Sequence, residues 1–203
     1  MEVRFLSGVL IMNTSSLVNF LFEASALTRL KRTGWQILGE NNETIAGHTF
    51  MVCVISYILA VLLKADTEKT LLIALFHDFE EARTGDVYKL ADLYTQVDRK
   101  KALRDAFSNL PQSAKIQKLL EDYQKKQSLE AKIVRDADTL SLCFELKQLV
   151  ERGNSNAVEW LQANIGALKT SEGKKLGRQL LKSNSQNWWK KERKILHQLM
   201  KNK

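Results

Sequence analysis

The chain has 203 residues, with 31 Lys and Arg against 23 Asp and Glu, and a formal net charge of +8. This length allows one domain with a sizeable core and argues against a second full domain. One proline, nine glycines and 44% hydrophobic residues predict a compact all-α fold, because strand-rich chains need more turn residues. The positive charge favours an anionic partner, which a phosphate ester, a nucleic acid or a membrane surface could each provide.

The two cysteines and the N-terminal sequence indicate in which cellular compartment the protein is expected. Cys53 and Cys143 lie in apolar segments without CxxC spacing, which predicts buried reduced thiols and a cytoplasmic protein. The first 26 residues resemble a secretory signal, but Glu2 and the polar residues 13–16 interrupt the pattern. We therefore expect residues 1–14 to be an N-terminal extension, with Met1 or Met12 as the start. No apolar run is expected to reach the length of a membrane span.

In chain order, the first predicted helix covers about 15–30 and is followed by a basic connector that contains glycine. Residues 45–64 are apolar nearly all round, which predicts a long, central, buried helix with His48 in its first turn. The next helix is predicted over about 68–83 and ends near Gly85, so that the HDFEE stretch lies on it.

The second half begins with a mixed segment, 87–110, and then resumes helical spacing over 112–126. Residues 128–152 form the most strongly amphipathic predicted helix, with Asp136 and Asp138 near its middle. After the break at 153–156, three shorter peripheral helices are predicted over 157–169, 172–182 and 186–201.

Polar residues interrupt the three most apolar helices. They are His48, His77, Asp78 and Asp138. Imidazole nitrogens and carboxylate oxygens are common ligands of a divalent metal ion, whose charge removes the repulsion between neighbouring carboxylates. Packing the three helices together would bring these four groups to one place. The pattern predicts a mononuclear metal site.

Each of these residues also has an ordinary structural interpretation. His48 alone is typical of a capping or core histidine, and Asp138 alone could pair with Lys132 or Arg135. His197, in the basic tail, is expected at the surface. The joint arrangement of imidazoles and carboxylates is harder to explain in this way, which favours the metal site.

Five sequence features together resemble the HD superfamily of metal-dependent phosphohydrolases. They are the H…HD…D pattern, LKRTGW at 30–35, ETIAGHT at 43–49, HDFEEARTGD at 77–86 and VRDADTL at 134–140. The branch that they resemble is that of the small 5'-deoxynucleotidases, and the likeness covers roughly residues 15–152. The resemblance implies an HD domain over 15–203, in which the helices from about 155 are peripheral.

The resemblance also implies a reaction and a set of residue roles. One divalent metal would be held by His48, His77, Asp78 and Asp138, and phosphate would be released from deoxynucleoside 5'-monophosphates. By the same likeness, Arg32 binds phosphate, Trp35 packs on the sugar, Glu81 handles the attacking water and Asp86 contacts the deoxyribose. Thr49 is placed among the substrate contacts. Gly47 and Thr49 depart from the family pattern, in which an acidic residue and Ser often flank the first histidine.

The residue types suit these roles. Glu81 lies one predicted helical turn after His77, where it could accept a proton from water that a metal ion has acidified. Arg32 presents a planar fork of donors matched to phosphate oxygens. Other interpretations remain open: Trp35 as a packing residue and Glu81 as a partner that holds a ligand histidine. Glu80 is expected to face solvent. Asp136 points about 200° away from Asp138 and is expected beside the ligands or at the surface.

Two competing functions are open. A nucleoside triphosphohydrolase would use the same ligands and additional basic residues, for which Lys89, Arg99, Lys100 and Lys101 are available. A nucleic-acid-binding module would use the C-terminal Trp188-Trp189-Lys190-Lys191 run, although such a run is more often an amphipathic docking surface on which Trp188, Ile195 and Leu199 pack.

The expected partners follow from the resemblance. We expect a nucleotide substrate and a homodimer, and neither a nucleic acid nor a membrane as partner. Trp188, Trp189 or the helix at 157–169 is a candidate for the dimer contact. The metal could be Mn, Co, Fe, Zn or Mg, because mixed His and carboxylate ligation is permissive. The sequence does not indicate a base preference.

Overall fold

The structure, a computed structural model, describes residues 14–40, 43–108 and 110–201. Within these ranges the chain is helical, and an isolated bridge between Lys31 and Thr44 is the sole β pairing. The all-α prediction is confirmed. The expected N-terminal extension and the alternative start at Met12 fall almost entirely in the first 13 residues, outside the described ranges.

The described residues form eleven α-helices. They are α1 Thr14–Ala26, α2 Ile45–Leu63, α3 Thr67–Phe76, α4 Glu81–Thr84, α5 Lys89–Asp92, α6 Arg99–Phe107, α7 Ser113–Lys125, α8 Leu129–Glu151, α9 Ala157–Ala167, α10 Ser171–Lys182 and α11 Lys190–Lys201. Two 3₁₀ turns, Thr33–Leu38 and Asn187–Trp189, complete the set.

Helices α2, α3 and α8 form the centre of the fold and pack against one another. Each begins at a side-chain cap that accepts a backbone N–H: Thr44 from Gly47, Asp66 from Lys69, and Ser128 from Ala131. Their facing sides supply fully buried apolar residues, among them Val52, Leu59, Ile73, Ile133, Val134 and Leu140. Burial of this surface holds the three helices together.

Helix α2 is unusual in its composition. By length and apolar content it qualifies as a membrane span, contrary to the expectation that no run reaches that length. Its position in the fold gives another explanation for this composition, because α2 packs between α3 and α8 and carries the buried His48. One flank of α2 remains exposed and apolar.

The helix predicted over 68–83 is interrupted after Phe76. The next backbone N–H groups bond three residues back, from Phe79 to Phe76 and from Glu81 to Asp78, at 3.2 and 3.1 Å. This is a 3₁₀ pattern, in which residues i and i+3 share a face. The HDFEE stretch is therefore a tight turn that leads into the short helix α4, rather than part of one continuous α-helix.

The C-terminal helices differ in how extensively they pack against the rest of the fold. Helix α9 packs along α8, and α10 packs against α8, α2 and α9. In contrast, α11 packs mainly against the preceding turn, Asn187–Trp189. Trp188 is 83% exposed, and Ile195 and Leu199 are exposed as well, so a docking role for these three residues stays a prediction.

Asp136 is buried and has a clear structural role. It is 2% exposed and accepts the backbone N–H groups of Lys169 and Thr170 at 2.8 and 2.7 Å, together with the Thr170 hydroxyl at 2.6 Å. Thr170 in turn caps α10 by accepting from the N–H of Gly173. The surface position considered for Asp136 is therefore wrong. This carboxylate fastens the connection between α9 and α10 to α8.

Substituting Gly173 tests this connection. A Cβ atom at Gly173 would lie 2.5 Å from Oδ2 of Asp136, whereas one at Gly166 in α9 would meet no atom within 4 Å. We expect Gly173→Ala to lower the free energy of unfolding by about 1–3 kcal/mol through overpacking. The matched control Gly166→Ala should change it by less than about 1 kcal/mol, towards higher stability. Equal effects in urea denaturation would contradict the role assigned to Asp136.

Candidate active site

Three helical segments bring two imidazoles and two carboxylates together. One ligand atom from each of His48, His77 and Asp78 lies within 4.8 Å of the other two. The Asp138 carboxylate joins them, with Oδ1 3.0 Å from Nε2 of His48. Separations of this size are close to those between ligands that share a metal ion with bonds of about 2.0–2.2 Å. The four side chains lie near one another, and their joint role as ligands of one metal stays a prediction.

Both histidines turn Nε2 towards this point because Nδ1 is already engaged. Nδ1 of His77 lies 2.8 Å from the Ala74 carbonyl, which can only accept, so Nδ1 carries the proton. Nδ1 of His48 lies 3.1 Å from the Ser141 hydroxyl. Such contacts are typical of histidines that bind metal through the other ring nitrogen.

The two Nε2 atoms are buried and make no hydrogen bond. Nε2 of His48 is 3.0 Å from Asp138, and Nε2 of His77 is 3.2 Å from Asp78, but neither contact is a hydrogen bond. Buried unpaired polar atoms are rare and costly. The Nε2 lone pairs of the two histidines face the same small volume, and a divalent cation bound there would accept both of them.

The electrostatics of the cluster also call for positive charge. Burial by itself would lower the pKa of His77, but the charge of Asp78 and its contact with the ring raise it to about 9. Burial would raise the pKa of Asp78, but His77 and Arg32 hold it well below its usual range. The pKa of Asp138 is lowered in the same way by His48. The cluster therefore attracts cations, and a metal ion can replace the protons.

Arg32 and Trp35 are linked by a carboxylate that the sequence analysis did not identify. Glu43 accepts the Trp35 indole N–H at 2.6 Å and lies 3.6 Å from Nε of Arg32. It also lies 3.6 Å from Nδ1 of His48. The bridge between Lys31 and Thr44 places Glu43 beside the LKRTGW segment. Only the antiparallel pairing of two loops brings it there, which no helical periodicity could indicate.

Arg32 reaches the cluster directly. Its guanidinium donates to Oδ2 of Asp78 at 3.3 Å, and Glu43 holds its other edge. Burial opposes its charge, but the surrounding carboxylates, with Asp78 first, raise the pKa of Arg32 above its ordinary value. A permanent cation therefore lies next to the four candidate ligands, where it can bind an anionic group of a ligand.

Asp86 follows the short helix α4 and is tied to the same segment. Its Oδ2 accepts the backbone N–H of Thr33, and its backbone carbonyl accepts the Thr33 hydroxyl at 3.0 Å. These two bonds fix the loop after Gly85 against the LKRTGW segment. Oδ1 of Asp86 is left to accept a further hydrogen bond in the cleft.

The 3₁₀ turn separates two adjacent glutamates. Glu81 shares a face with Asp78 and lines the same cleft, while Glu80 shares a face with His77 and lines a different one. Glu80 is buried, and burial raises its pKa to about 7. The expectation that Glu80 faces solvent is therefore wrong. Burial, with the charges of Asp78 and Asp86, raises the pKa of Glu81 to about 9.

A cleft of about 570 Å³ opens over the candidate ligands. Its charged lining residues include Arg32, Asp78, Glu81, Asp86 and Asp138. Its apolar lining residues include Trp35, Leu142, Trp160 and Ala163. Thr49 follows His48 on α2 and is half-buried, and it is not among the described residues that line this cleft. Its substrate contact stays a prediction.

A second cleft, of about 800 Å³, lies on the other side of His77 between α6 and α7. Arg99 and Lys100 line this second cleft, and Arg99 pairs with Asp92 at 2.7 Å. Lys89 lines the first cleft. The basic residues considered for a longer phosphate chain are therefore divided between two surfaces.

The contacts of Arg135 and Asp138 bear on the structural interpretation of Asp138 as an ion-pair partner. Arg135 donates to the Tyr123 carbonyl at 3.2 Å and lies 4.5 Å from the centre of the Tyr123 ring, while Asp138 contacts His48. Lys132 and His197 are exposed. The cysteines are free, with Cys143 buried and Cys53 half-buried, as expected.

Comparison with known proteins gives consistent results. Residues 24–180 match the sequence model of a family described as HD domain. A 5'-deoxynucleotidase of Saccharomyces cerevisiae is 28% identical over 176 residues, covering 80% of each chain. A conserved hypothetical protein from Pyrococcus furiosus has a similar structure, with a TM-score of 0.71, 30% identity, and coverage of 82% of this chain and 99% of that one. A protein from Pyrococcus horikoshii OT3 gives 0.68 and 32%, with 81% and 96% covered.

Metal binding can be tested by thermal unfolding. Adding Mn²⁺ or Co²⁺ at about 100 times its dissociation constant should stabilise the wild type by about 2.7 kcal/mol, because only the folded state assembles the ligands. We expect Asp78→Asn to lose this stabilisation and the bound metal, measured by elemental analysis. Glu121→Gln, which alters an exposed carboxylate of the second cleft, should keep both. Retention of the metal by Asp78→Asn would contradict the site.

Proposed function

Because the chain belongs to the HD-domain family of metal-dependent phosphohydrolases, we propose that it releases phosphate from deoxyribonucleoside 5'-monophosphates. The supporting observation is a cleft that is lined both by charged residues beside the candidate metal ligands and by apolar residues that include two tryptophans. A nucleotide likewise combines a charged phosphate with a largely apolar base. The name of the similar yeast protein supports the deoxy form of the substrate.

In this proposal His48, His77, Asp78 and Asp138 hold one divalent metal. When bound, the metal supplies Lewis acidity towards a phosphate oxygen and brings the pKa of water towards neutrality. Arg32 binds another phosphate oxygen and offsets the charge that accumulates during in-line displacement. Glu43 orients both Arg32 and the ring of Trp35. The metal could be Mn, Co, Fe, Zn or Mg, and availability decides among them.

Glu81 is proposed as the group that handles the attacking water. Its Oε2 is buried without a hydrogen-bond partner, and it lines the cleft on the same face as Asp78. A cation at the four ligands lowers the pKa of Glu81 from its raised value, so that the carboxylate can accept a proton from water. Asp86 then offers Oδ1 to a sugar hydroxyl, since Thr33 already occupies Oδ2.

The division of the basic residues favours a monophosphate over a triphosphate substrate. A triphosphohydrolase would need several cations beyond Arg32 on the cleft that holds the substrate, and Lys89 is the one that lines it among the four considered. Arg99 and Lys100 face the second cleft, and Lys101 pairs with Asp105. The release of orthophosphate or of triphosphate from dAMP and dATP distinguishes the two functions.

Nucleic-acid binding has weaker support. The exposed Trp188 and the stack of Arg193 over Trp189, at 5.3 Å from the ring centre, resemble a single-strand binding surface. They lie on the C-terminal turn and α11, whereas the candidate ligands lie on α2, α8 and the turn after α3. A metal with only a structural role would not require Arg32, Glu81 and Asp86 around it.

The Glu81→Gln variant tests the reaction. We expect it to lower kcat for dAMP by about 10²–10⁴-fold, because the amide cannot accept a proton. Bound metal and helical content should stay unchanged. The neighbouring Glu80→Gln, which alters the second cleft, should lower kcat by less than tenfold, within about 1.4 kcal/mol of transition-state stabilisation. Loss of metal in Glu81→Gln would assign Glu81 to holding a ligand instead.

The homodimer is proposed to form through α2. The exposed flank of this helix carries Phe50, Val54, Tyr57, Ile58, Val61 and Leu62. Their spacing of three or four residues makes a continuous stripe, and none of them is charged, so the stripe can face its own copy across a two-fold axis. Trp188, Trp189 and α9 are then unnecessary for the contact.

Light scattering after gel filtration measures this assembly. We expect a dimer for the wild type and a monomer with unchanged helical content for Ile58→Lys, because a buried unpaired charge at the stripe opposes association. Leu93→Lys, at an exposed leucine outside the stripe, should stay dimeric. A monomeric wild type would contradict the proposal.

The cytoplasmic location of the protein also stays a prediction.

A further inference from the structure

One wall of the first cleft comes from α9, a helix that the sequence analysis considered peripheral. Glu159, Trp160, Ala163 and Asn164 of this helix line the cleft. Their spacing of one, four and five residues places them on one helical face. Leu142 of α8 continues the wall, one turn after the candidate ligand Asp138. Residues of α8 and α9 therefore line the same cleft as the candidate metal ligands.

Trp160 is the largest flat side chain on this wall, and it is held in place. It packs, with Leu142, against the buried cluster that contains Trp35, Cys143 and Leu161. Its side chain is only half-buried, so part of it remains accessible from the cleft. A fixed, accessible aromatic ring is suited to stacking on a planar heterocycle.

Asn164 adds a directional polar group beside this ring. Its Nδ2 donates to the Trp160 carbonyl at 2.8 Å. A carbonyl can only accept, so the amide must turn its NH₂ group towards the helix, which leaves Oδ1 as the free end. The carboxylate of Glu159, which precedes Trp160 in the helix and lines the same cleft, also offers acceptor oxygens. The polar side chains that α9 contributes to the cleft therefore offer acceptors.

We infer that α9 is a nucleobase-binding wall, on which the base stacks against Trp160 and donates an exocyclic amino group to Asn164. This inference rests on the proposed nucleotidase function and adds a base preference to it. Adenine, cytosine and guanine carry an amino group, whereas thymine and uracil do not. The position of the wall agrees with this assignment, because a base lies beyond the sugar from the phosphate.

The substrates dCMP and dUMP test the amino group, since cytosine has an amino donor at position 4 and an acceptor at N3, whereas uracil has a carbonyl acceptor at position 4 and an N–H donor at N3. We expect the wild type to favour dCMP by about tenfold or more in kcat/KM, because a lost or mismatched polar contact in a base site costs about that much. Asn164→Ala should reduce this ratio to about one. Gln162→Ala, at an exposed position of α9 outside the cleft lining, should leave it unchanged.

Stacking is tested with a substrate that has no base. Trp160→Ala should raise KM for dCMP about tenfold or more, in line with the loss of one base-aromatic stack, while kcat changes little. Its effect on deoxyribose 5-phosphate should be less than about twofold, because this substrate has no ring to stack. Trp160→Phe should restore most of the affinity for dCMP. A purely structural role of Trp160 would instead impair both substrates equally.

Different results would overturn the base wall and the nucleotidase function. If the wild type hydrolyses dCMP and dUMP at equal efficiency, or if Trp160→Ala impairs deoxyribose 5-phosphate as much as dCMP, the base wall is overturned and the nucleotidase function stands. If the metal-loaded wild type hydrolyses no nucleoside monophosphate, the proposed function fails, and the base wall fails with it.

Discussion

The fold is organised around the burial of two imidazoles and two carboxylates at the meeting point of its most apolar helices. His48 and His77 are almost fully buried, and their Nε2 atoms have no hydrogen-bond partner. Without a cation, the free energy of burying such groups opposes the packing of α2, α3 and α8. A divalent ion reverses this balance, because ligand bonds replace the lost hydration. Metal binding at these residues would therefore be coupled to the packing of the central helices.

The turn after α3 determines which side chains join this centre. An α-helix would have placed Glu81 on the face of His77, whereas the 3₁₀ turn aligns Glu81 with Asp78 and Glu80 with His77. One carboxylate therefore enters the first cleft, and its neighbour enters the second. Because the hydrogen-bonding pattern changes over these four residues, the side chains of two glutamates that are adjacent in the sequence line different clefts.

The sequence predicted the parts of the fold that depend on local signals. Helix α2, helix α8 and the four candidate ligands follow from apolar periodicity and from polar residues where that periodicity excludes them. Glu43 and the cleft-facing position of α9 could not be predicted, because they depend on loop pairing and on packing between distant segments. The burial of Glu80 was missed because it depends on how the turn after α3 packs beside α6 and α7. Asp136 was misplaced because its partners lie more than thirty residues away.

The clamp at Asp136 has a consequence for the kinds of substrate that the cleft accepts. Asp136 lies two positions before the candidate ligand Asp138, and its carboxylate holds the segment that follows α9. The ligand helix and the aromatic wall are therefore joined through one buried carboxylate, which limits how far they can move relative to each other. If the cleft binds nucleotides as proposed, this connection sets the distance that a substrate must bridge between metal and ring, and a shorter phosphate ester would lose the contact at one end.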